Sequence, residues 1–479
     1  MASTTAQSDT SPSTDRSRWV ALGVIAVAQL MVALDATIVN VALPTAQASL
    51  GFDDAQRSWV ITAYTLSFAG LLLLGGRISD RVGRRRAMMI GLTGFAASSA
   101  LAGAATNLTV LVAGRSLQGA CAALMAPAAL SLIAVTFTSP EERGKAFGVF
   151  GAIASSGAVT GLLLGGVLTE YAGWRWCLDV NVVIAAITLL VGRRVLPRGD
   201  GFPTSIDAVS GVLATGALAA LVLGCSQAAT HGWGSVEVLV PGALGLVLGA
   251  AFIVRQGRIE HPLLPLVILR NRNRATAYLA VATSVIGTFG MFLMLTYHFQ
   301  VVLGYSPLRT GVAFLPLNLA VIVSSGVASR LMASRSARAL VAPGLLVASS
   351  GLALLARLDP SSGYLTLILP AMVLAGAGVG FVFTPSIGVA TSDIEPRMAG
   401  IAAATANTAM QIGASVGTAA LNTIAIEAAR GYSGSPLSAT VHGFATATGS
   451  AAAVLVVVAS VVAVALRPAA GGGEGLPVA

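Results

Sequence analysis

The composition of this 479-residue chain excludes a soluble globular protein. Only 10% of its residues are charged, 55% are hydrophobic, and the mean hydropathy is +0.83, whereas soluble domains carry about 25% charged residues. The net charge of +9 does not indicate a nucleic-acid partner, because the basic residues lie in short gaps between apolar segments, where they act as topology signals. We therefore predict an all-α protein of the lipid bilayer that binds no nucleic acid.

Fourteen apolar segments approach the length of a spanning helix, which needs about 17–25 predominantly apolar residues. In chain order they are residues 19–43, 58–76, 87–106, 109–136, 145–169, 177–195, 207–226, 235–255, 275–303, 309–330, 339–357, 365–390, 398–426 and 442–466. The flanking residues 1–18 and 467–479 are rich in Ser, Thr or Gly, and this composition predicts two disordered tails.

The basic residues divide unevenly between the two sides of these segments. Of the 28 Lys and Arg residues, 21 lie in the tails and the even-numbered gaps, and five lie in the odd-numbered gaps. Positive charge accumulates on the cytoplasmic side of a membrane protein. Both tails are therefore predicted to be cytoplasmic, in a multi-pass protein of the cell membrane with an even number of spans.

Two charged residues interrupt the apolar segments. Asp35 lies in the middle of the first segment, and Arg115 lies in the fourth, with Gln118 and Met125 on the same helical face. A charge in lipid costs about 2.5–3.5 kcal/mol on insertion scales, so such residues call for an explanation. Two interpretations are open: a static ion pair that fixes the packing, or a carboxyl group at Asp35 that takes and releases a proton while Arg115 tunes it.

Sequence patterns for catalysis and for ATP hydrolysis are absent. The phosphate-binding pattern G-x-x-x-x-G-K-[ST] does not occur, since the Gly144-Lys145 pair is followed by alanine. No nucleophile elbow and no metal-ligand pattern occurs either. We predict a protein that is not an enzyme and holds neither metal nor cofactor. A proton gradient is the expected energy source, at about 2.3 kcal/mol per charge per 100 mV.

A basic loop separates the second and third segments. It runs from Gly76 to Arg86 and reads GRISDRVGRRR, which combines a helix end, a glycine-containing turn and a basic cluster. An ordinary cytoplasmic loop would need only the positive charge. The full string resembles the G-x-L-a-D-r-x-G-r-k-r loop of the major facilitator superfamily.

Further motifs resemble one branch of that superfamily, the fourteen-helix drug:proton antiporters. The segment RSLQG at 115–119 is similar to the fourth-helix R-x-x-Q-G motif, which is implicated in proton coupling, and LDATIVNVALP at 34–44 is similar to the first-helix motif. The fifth segment fits the antiporter motif G-x8-G-x3-G-P-x2-G-G, with Leu162 in place of the proline. Its glycines are Gly148, Gly157, Gly161, Gly165 and Gly166.

The resemblance covers residues 19–466 and implies a major facilitator fold. That fold has two six-helix bundles, here 19–195 and 261–466, which rock around a central site, and the two extra helices fall within 196–260. The loop residues would form a conformational gate in which Asp80 pairs with a nearby Arg or a helix N-terminus: Gly76, Asp80, Arg81, Gly83 and Arg84. The glycines of the fifth helix would pack against the opposite bundle, in a protein that works as a monomer.

A drug-binding cavity should be largely apolar, with a few polar anchors. The candidates are Asn40, Tyr64, Gln118, Met125, Phe292, Tyr297, His298, Gln300, Asn407 and Gln411. Asn407 and Gln411 share a helical face with Thr418 and Asn422, and the alternative for that stripe is hydrogen bonding between helices. His298 has a similar alternative as a packing group. The tenth segment contains no acidic residue, which favours neutral or monocationic lipophilic substrates.

The leading functional prediction is a proton-coupled antiporter that exports lipophilic drugs or antibiotics by alternating access. One alternative is a permease for a specific metabolite, which the replacement of the motif proline by Leu162 leaves open. Another is a membrane sensor or scaffold that transports nothing. That alternative predicts that Asp35→Asn leaves function intact.

Overall fold

Helices make up most of the chain. The computed structural model describes residues 12–54, 56–137, 139–197, 207–260, 262–332, 334–391 and 396–466, and within these ranges it contains helices and short connections but no strand. The helices are α1 (Pro12–Leu50), α2 (Arg57–Val82), α3 (Arg84–Gly103), α4 (Leu108–Thr136), α5 (Pro140–Tyr171), α6 (Trp176–Val195), α7 (Ala208–His231), α8 (Val236–Gln256), α9 (Leu266–Arg270), α10 (Arg272–Tyr297), α11 (Pro307–Ala313), α12 (Leu315–Leu331), α13 (Ala337–Leu355), α14 (Leu369–Thr391), α15 (Pro396–Arg430) and α16 (Pro436–Ala465).

Twelve helices in the described ranges are long and apolar enough to cross a membrane. Each corresponds to one of the predicted segments. Two more long helices, α3 with 20 residues and α5 with 32 residues, lie at the remaining two predicted segments. Helix α3 begins with three arginines and is rich in Gly, Ala and Ser, and the first two turns of α5 are charged. Helix α3 is therefore less apolar than the twelve, whereas the apolar stretch of α5 within the described residues, Val159–Tyr171, is shorter than a span.

The helices form two groups that follow each other along the chain. Helices α1–α6 pack on one another, chiefly as the pairs α1–α5, α2–α4 and α3–α4, and helices α10–α16 do the same through α13–α14, α12–α14 and α10–α15. We call these groups the N-half and the C-half. They meet mainly where α2 packs on α15 and where α5 packs on α11.

Helix α1 begins earlier than the sequence predicts. Its first residue is Pro12, so the part of the predicted disordered tail from residue 12 to residue 18 is helical. Proline is favourable in the first turn of a helix, where its missing N–H has no partner to lose. Arg18 also donates a hydrogen bond to Glu142 of α5 at 3.3 Å. The rest of that tail, 1–11, and the predicted tail 467–479 lie outside the described residues.

Helices α7 and α8 form a hairpin beside the seam between the two halves. Helix α7 contacts both α2 and α15, and a Cβ atom at Gly70 of α2 would lie 2.7 Å from Thr215 Oγ1 of α7. On the other side, Thr423 Oγ1 donates to the carbonyl oxygen of Cys225 at 2.7 Å. The inserted hairpin therefore packs against both halves where α2 meets α15.

An ion pair fixes the base of this hairpin. Asp207 caps the first turn of α7 by accepting from Ser210 N, and Arg255 near the end of α8 donates to both of its carboxylate oxygens at 2.9–3.3 Å. These hydrogen bonds, Arg255 first, lower the pKa of Asp207 to about 2. The carboxylate therefore stays charged and paired at physiological pH.

Candidate functional site

The most deeply buried charges of the N-half form one hydrogen-bonded cluster. Asp35 of α1 is fully buried, and its Oδ2 accepts from Arg115 Nη1 of α4 at 2.6 Å. Its Oδ1 accepts from Gln118 Nε2 at 3.1 Å and from Asn181 Nδ2 of α6 at 2.8 Å. The sequence predicts that Asp35 and Arg115 pair, and the structure brings them together with Gln118.

Arg115 has further hydrogen bonds and a ring contact besides its ion pair with Asp35. Its Nε donates to the carbonyl oxygen of Val60 at 3.2 Å, its Nη1 donates also to Gln118 Oε1 at 3.0 Å, and its guanidinium carbon lies 4.5 Å from the centre of the Tyr64 ring. Gln118 in turn donates to Ser99 Oγ of α3 at 2.7 Å. Burying an ion pair is favourable only when such further hydrogen bonds satisfy both partners, and here they do.

Asn181 is the member of this cluster that the sequence analysis missed. It is fully buried and lies in the sixth apolar segment, six residues after Arg175. The available signal was weak, because an Asn in a spanning helix costs far less than a charge and commonly bonds to a neighbouring helix. Its partner could not be read from the sequence, since Asp35 and Asn181 are 146 positions apart.

The cluster has the chemistry of a proton-binding site. It consists of one carboxylate, one guanidinium and two amides, contributed by α1, α4 and α6. Among the described residues, Asp35 is the one acidic side chain that is buried. A proton arriving here would neutralise Asp35 and leave the charge of Arg115 unbalanced, so protonation changes the electrostatics of the whole N-half core.

The basic loop forms a tight connection between α2 and α3. Gly83 has φ +96°, a backbone region that favours glycine, and Arg84 starts α3 immediately afterwards. Asp80 lies 3.9 Å from Arg84 in a partly exposed ion pair, and such pairs contribute about 0–1 kcal/mol. Arg81 is exposed in the last turn of α2. The predicted pairing of Asp80 with a nearby arginine is therefore present, but it lies within the N-half.

Two neighbours of the predicted loop residues make the closer contacts. A Cβ atom at Gly76 would meet only Pro127 at an ordinary 3.6 Å, whereas one at Gly75 would lie 2.2 Å from the carbonyl oxygen of Ala123. Arg77 Nη2 donates to the carbonyl oxygen of Pro262 at 2.8 Å, in the segment that leads into α9. Arg77 therefore connects this loop to the segment that precedes α9.

The glycines of α5 contact two different neighbours. Cβ atoms at Gly157, Gly161 and Gly165 would collide with α1, at 2.6 Å from Ala33 Cβ, 2.1 Å from Thr37 Oγ1 and 3.0 Å from Ile38 O respectively. Their spacing of four residues places them on one helical face, and that face packs within the N-half. The prediction that these three glycines pack against the opposite bundle is therefore wrong. The surroundings of Gly148 lie outside the described part of the structure.

The neighbouring face of α5 does meet the C-half. A Cβ atom at Gly166 would lie 2.7 Å from Leu308 Cα of α11, and one at Gly311 of α11 would lie 2.4 Å from the carbonyl oxygen of Leu162. Leu162, which replaces the motif proline, is fully buried at this crossing. The crossing of α5 and α11 therefore depends on two glycines, one from each half.

We expect Gly311→Ala to impair the approach of the two halves. The added methyl group would meet backbone, which cannot rotate away, so the packed state should lose about 1–3 kcal/mol. Because the sequence predicts a transporter, the measurement is the transport rate of a fluorescent substrate in cells, with surface expression as a reference. Gly242→Ala is the matched control, because a Cβ atom there has nothing within 4 Å. Equal rates for Gly311→Ala and the wild type would contradict this interpretation of the crossing.

A second buried arginine joins the two halves at the end of the molecule where α1 ends and α2 begins. Arg57 starts α2, is 2% exposed, and donates through Nε to Asn422 Oδ1 of α15 at 3.0 Å. Its guanidinium carbon lies 4.3 Å from the ring centre of Tyr297 and 5.4 Å from that of Phe444. Both rings belong to the C-half, whereas the counter-charge of Arg57, Asp54 Oδ1 at 3.4 Å, belongs to the N-half.

Further hydrogen bonds between the halves surround Arg57. Tyr297 donates to Gln47 Oε1 of α1, Gln300 Nε2 donates to Val41 O at 2.8 Å, and Asn422 Nδ2 donates to Asp54 O at 3.2 Å. In addition, Leu308 N donates to Glu170 at the end of α5 at 3.1 Å. All of these contacts lie towards the α1–α2 end, so the halves are joined at that end.

The predicted cavity residues do not line one surface. Tyr64, Gln118 and Met125 belong to the core of the N-half. Phe292 packs on Phe314 with ring centres 4.7 Å apart. The sides of a spanning helix that face lipid and those that face protein are both largely apolar. Hydropathy therefore does not reveal which side faces the other half.

The remaining cavity candidates are polar. His298, in a π-helical turn that continues α10, is fully buried, and within the described part of the chain neither ring nitrogen has a hydrogen-bond partner. Asn40 Nδ2 donates to Ala36 O of its own helix, and its Oδ1 has no hydrogen-bond partner in the ranges that the structure describes. Asn407 is half-buried, and Gln411 is buried. On their stripe, the outermost member Asn422 bonds between helices, as the alternative predicted.

Comparison with known proteins identifies the family. The profile of the Major Facilitator Superfamily matches residues 25–418. This chain belongs to the major facilitator superfamily. It is therefore a membrane transporter and not an enzyme, and its two groups of helices are the two bundles of the major facilitator fold.

Several superfamily members of known name are similar to the chain over most of its length. The puromycin resistance protein pur8 of Streptomyces alboniger is 46% identical over 93% of this chain and 90% of that protein. The cephamycin export protein CmcT of Amycolatopsis lactamdurans is 38% identical over 88% of this chain and 87% of that protein. Among solved structures, the peptide transporter POT in complex with sulfate matches with a TM-score of 0.67 at 16% identity, covering 92% of this chain and 93% of that one. This likeness shows the fold alone.

Proposed function

We propose that this protein is a proton-coupled exporter of lipophilic antibiotic-like molecules, which works by alternating access as a monomer. The observation that carries the proposal is the fully buried Asp35 carboxylate, paired with Arg115 in the core of the N-half. A buried carboxylate is costly to insert, and a group that changes charge there can alter the packing of the bundle around it. The names of the relatives, which include resistance and export proteins, support export as the direction.

The contacts between the halves support alternating access, with the α1–α2 end closed in this structure. We propose fourteen spanning helices, counting α3 and α5, because each has at least the 20 residues that cover about 30 Å. With both termini in the cytoplasm, as the distribution of arginines favours, the α1–α2 end faces outwards. Arg57 and its partners then close the outer side, and the halves separate towards the cytoplasm, from which the substrate enters.

The proposed substrates are neutral or carry a single positive charge. No acidic side chain occurs in α11 or α12, and Asp35 is already satisfied by Arg115 and two amides. An organic dication would need a second carboxylate in the cavity. Aromatic and amide side chains at the interface, among them Tyr297 and Gln300, suit lipophilic molecules with one or two polar groups.

The experiment that tests this function measures proton movement driven by substrate in inverted membrane vesicles. Under an imposed pH gradient, puromycin and a panel of lipophilic antibiotics and monocations are added to vesicles with the wild type. Proton efflux with several compounds is the expected result. If compounds accumulate against their gradient with no proton movement, the proton coupling is wrong. If no compound accumulates but one metabolite equilibrates, the chain is a permease.

A further inference from the structure

The two amides that bind Asp35 differ in whether both their nitrogen and their oxygen have hydrogen-bond partners. Gln118 uses both ends of its amide, since Nε2 donates to Asp35 and Ser99 while Oε1 accepts from Arg115. Asn181 uses one end only. Its Nδ2 donates to Asp35 Oδ1 at 2.8 Å, and its buried Oδ1 has no hydrogen-bond partner among the described residues. Rotation of the Gln118 amide would break three hydrogen bonds, whereas rotation of the Asn181 amide breaks one.

The unpartnered oxygen of Asn181 indicates which protonation state of the neighbouring carboxyl group could satisfy it. A buried carbonyl oxygen without a donor destabilises the fold, so its persistence calls for a state in which it is satisfied. The charged carboxylate offers no donor. The carboxylic acid does, because its O–H must donate to some acceptor, and Gln118 Oε1 is already occupied by Arg115.

We propose that Asn181 is the positioning residue for proton binding at Asp35 and that its amide turns over when Asp35 is protonated. A proton from solvent binds Asp35 Oδ1 and forms an O–H bond. The hydrogen bond from Asn181 Nδ2 breaks, and the new O–H donates to Asn181 Oδ1. The charge of the Asp35–Arg115 pair changes from zero to +1, and no other bond changes. This inference rests on the proposed proton coupling and adds to it the group that stabilises both states.

The groups around Asp35 leave Asn181 as the available acceptor for the O–H of the protonated carboxyl group. Asp35 faces Arg115 on α4 and the ring of Tyr64 on α2, and these are the charged and titratable groups around it in the described chain. Helix α3 contributes Ser99, which is bound by Gln118. Helix α5 presents glycines to α1 next to Asp35, as at Gly161. Arg115 is a donor in every state, so it cannot accept the new proton's hydrogen bond.

The test is infrared difference spectroscopy of the purified protein between about pH 5 and pH 9. The carbonyl stretch of protonated Asp35 is identified by its loss in Asp35→Asn. In Asn181→Ala the acid loses its acceptor, so we expect the band to move to higher frequency. The charged state loses the stronger of the two hydrogen bonds, so we expect the titration midpoint to rise by about one pH unit.

The control is Thr188→Val on the same helix, which removes a buried hydroxyl bonded only to its own helix at Ile184 O. We expect it to leave both the band and the midpoint unchanged. Asn181→Leu, with a side chain of similar volume, serves if Asn181→Ala fails to fold. A raised midpoint with an unmoved band would mean a fixed donor and would overturn the rotation. An unchanged midpoint and band would overturn the role of Asn181 while leaving proton coupling intact. If the wild type shows no band that depends on Asp35, proton coupling at Asp35 is itself wrong.

Discussion

Asp35→Asn is expected to abolish export driven by a proton gradient and also to destabilise the protein. The neutral amide cannot exchange a proton, and it leaves the guanidinium of Arg115 buried without a counter-charge. Removing one partner of a buried ion pair costs about 3–5 kcal/mol. The measurements are drug accumulation in inverted vesicles and the thermal unfolding midpoint in detergent.

The double variant Asp35→Asn with Arg115→Gln separates the two interpretations of the pair. It removes both buried charges, so most of the lost stability should return. If the pair only fixes the packing, export should return with stability; if Asp35 carries the proton, export should remain absent. Glu427→Gln is the matched control, because it neutralises an acid whose partner, Trp233 Nε1, can still donate to the amide oxygen. A double variant that exports like the wild type would contradict proton coupling at Asp35.

Arg57→Met is expected to open the α1–α2 end of the molecule. Methionine keeps an unbranched apolar stem but loses the hydrogen bond to Asn422 and the attraction to the rings of Tyr297 and Phe444. A buried cation–π contact contributes about 2 kcal/mol, and a charged hydrogen bond about 1.5–3 kcal/mol. A loss of this size shifts the equilibrium between closed and open states by at least about tenfold.

The shift can be measured as the distance between spin labels on Ser49 and Ser433, which are exposed at this end in opposite halves. The labelled protein should lack its three free cysteines. Arg175→Met is the matched control, because Arg175 also lies over a ring, that of Trp174, and donates to Ala105 O, but all its partners are in the N-half. An unchanged distance distribution in Arg57→Met would mean that the closure does not depend on Arg57.

The glycines of α5 show what a sequence pattern can predict about helix packing and what it cannot. Their spacing of four residues predicts a helical face on which another helix can approach closely, and such a face exists. Which helix approaches it is a tertiary property: Gly157, Gly161 and Gly165 meet α1, and Gly166 meets α11. Gly165 and Gly166 are consecutive, so the two sets of contacts lie on neighbouring faces of one helix, about 100° apart, and the pattern of small residues does not distinguish them.

Arg115 and Arg57 show the same limit for charged residues. Arg115 could be recognised from the sequence because it lies inside an apolar segment, where a charge is costly. Arg57 lies at the start of a segment, where arginine is inexpensive when it reaches water, so the sequence suggested an ordinary loop charge. It is buried because residues more than 200 positions away, Tyr297 and Asn422, close over it.

The sequence alone determined the membrane environment, the approximate positions of the helices, the family resemblance and the presence of two charges, Asp35 and Arg115, within apolar segments. Each of these follows from properties of single segments: hydropathy over one helix, a loop motif, or the cost of one charge in lipid. The tertiary structure alone decided that Asn181 completes the Asp35 cluster and that Arg57 joins the halves. A spanning helix is apolar on every face, so its sequence does not specify which face meets which neighbour, and only the packed bundle does.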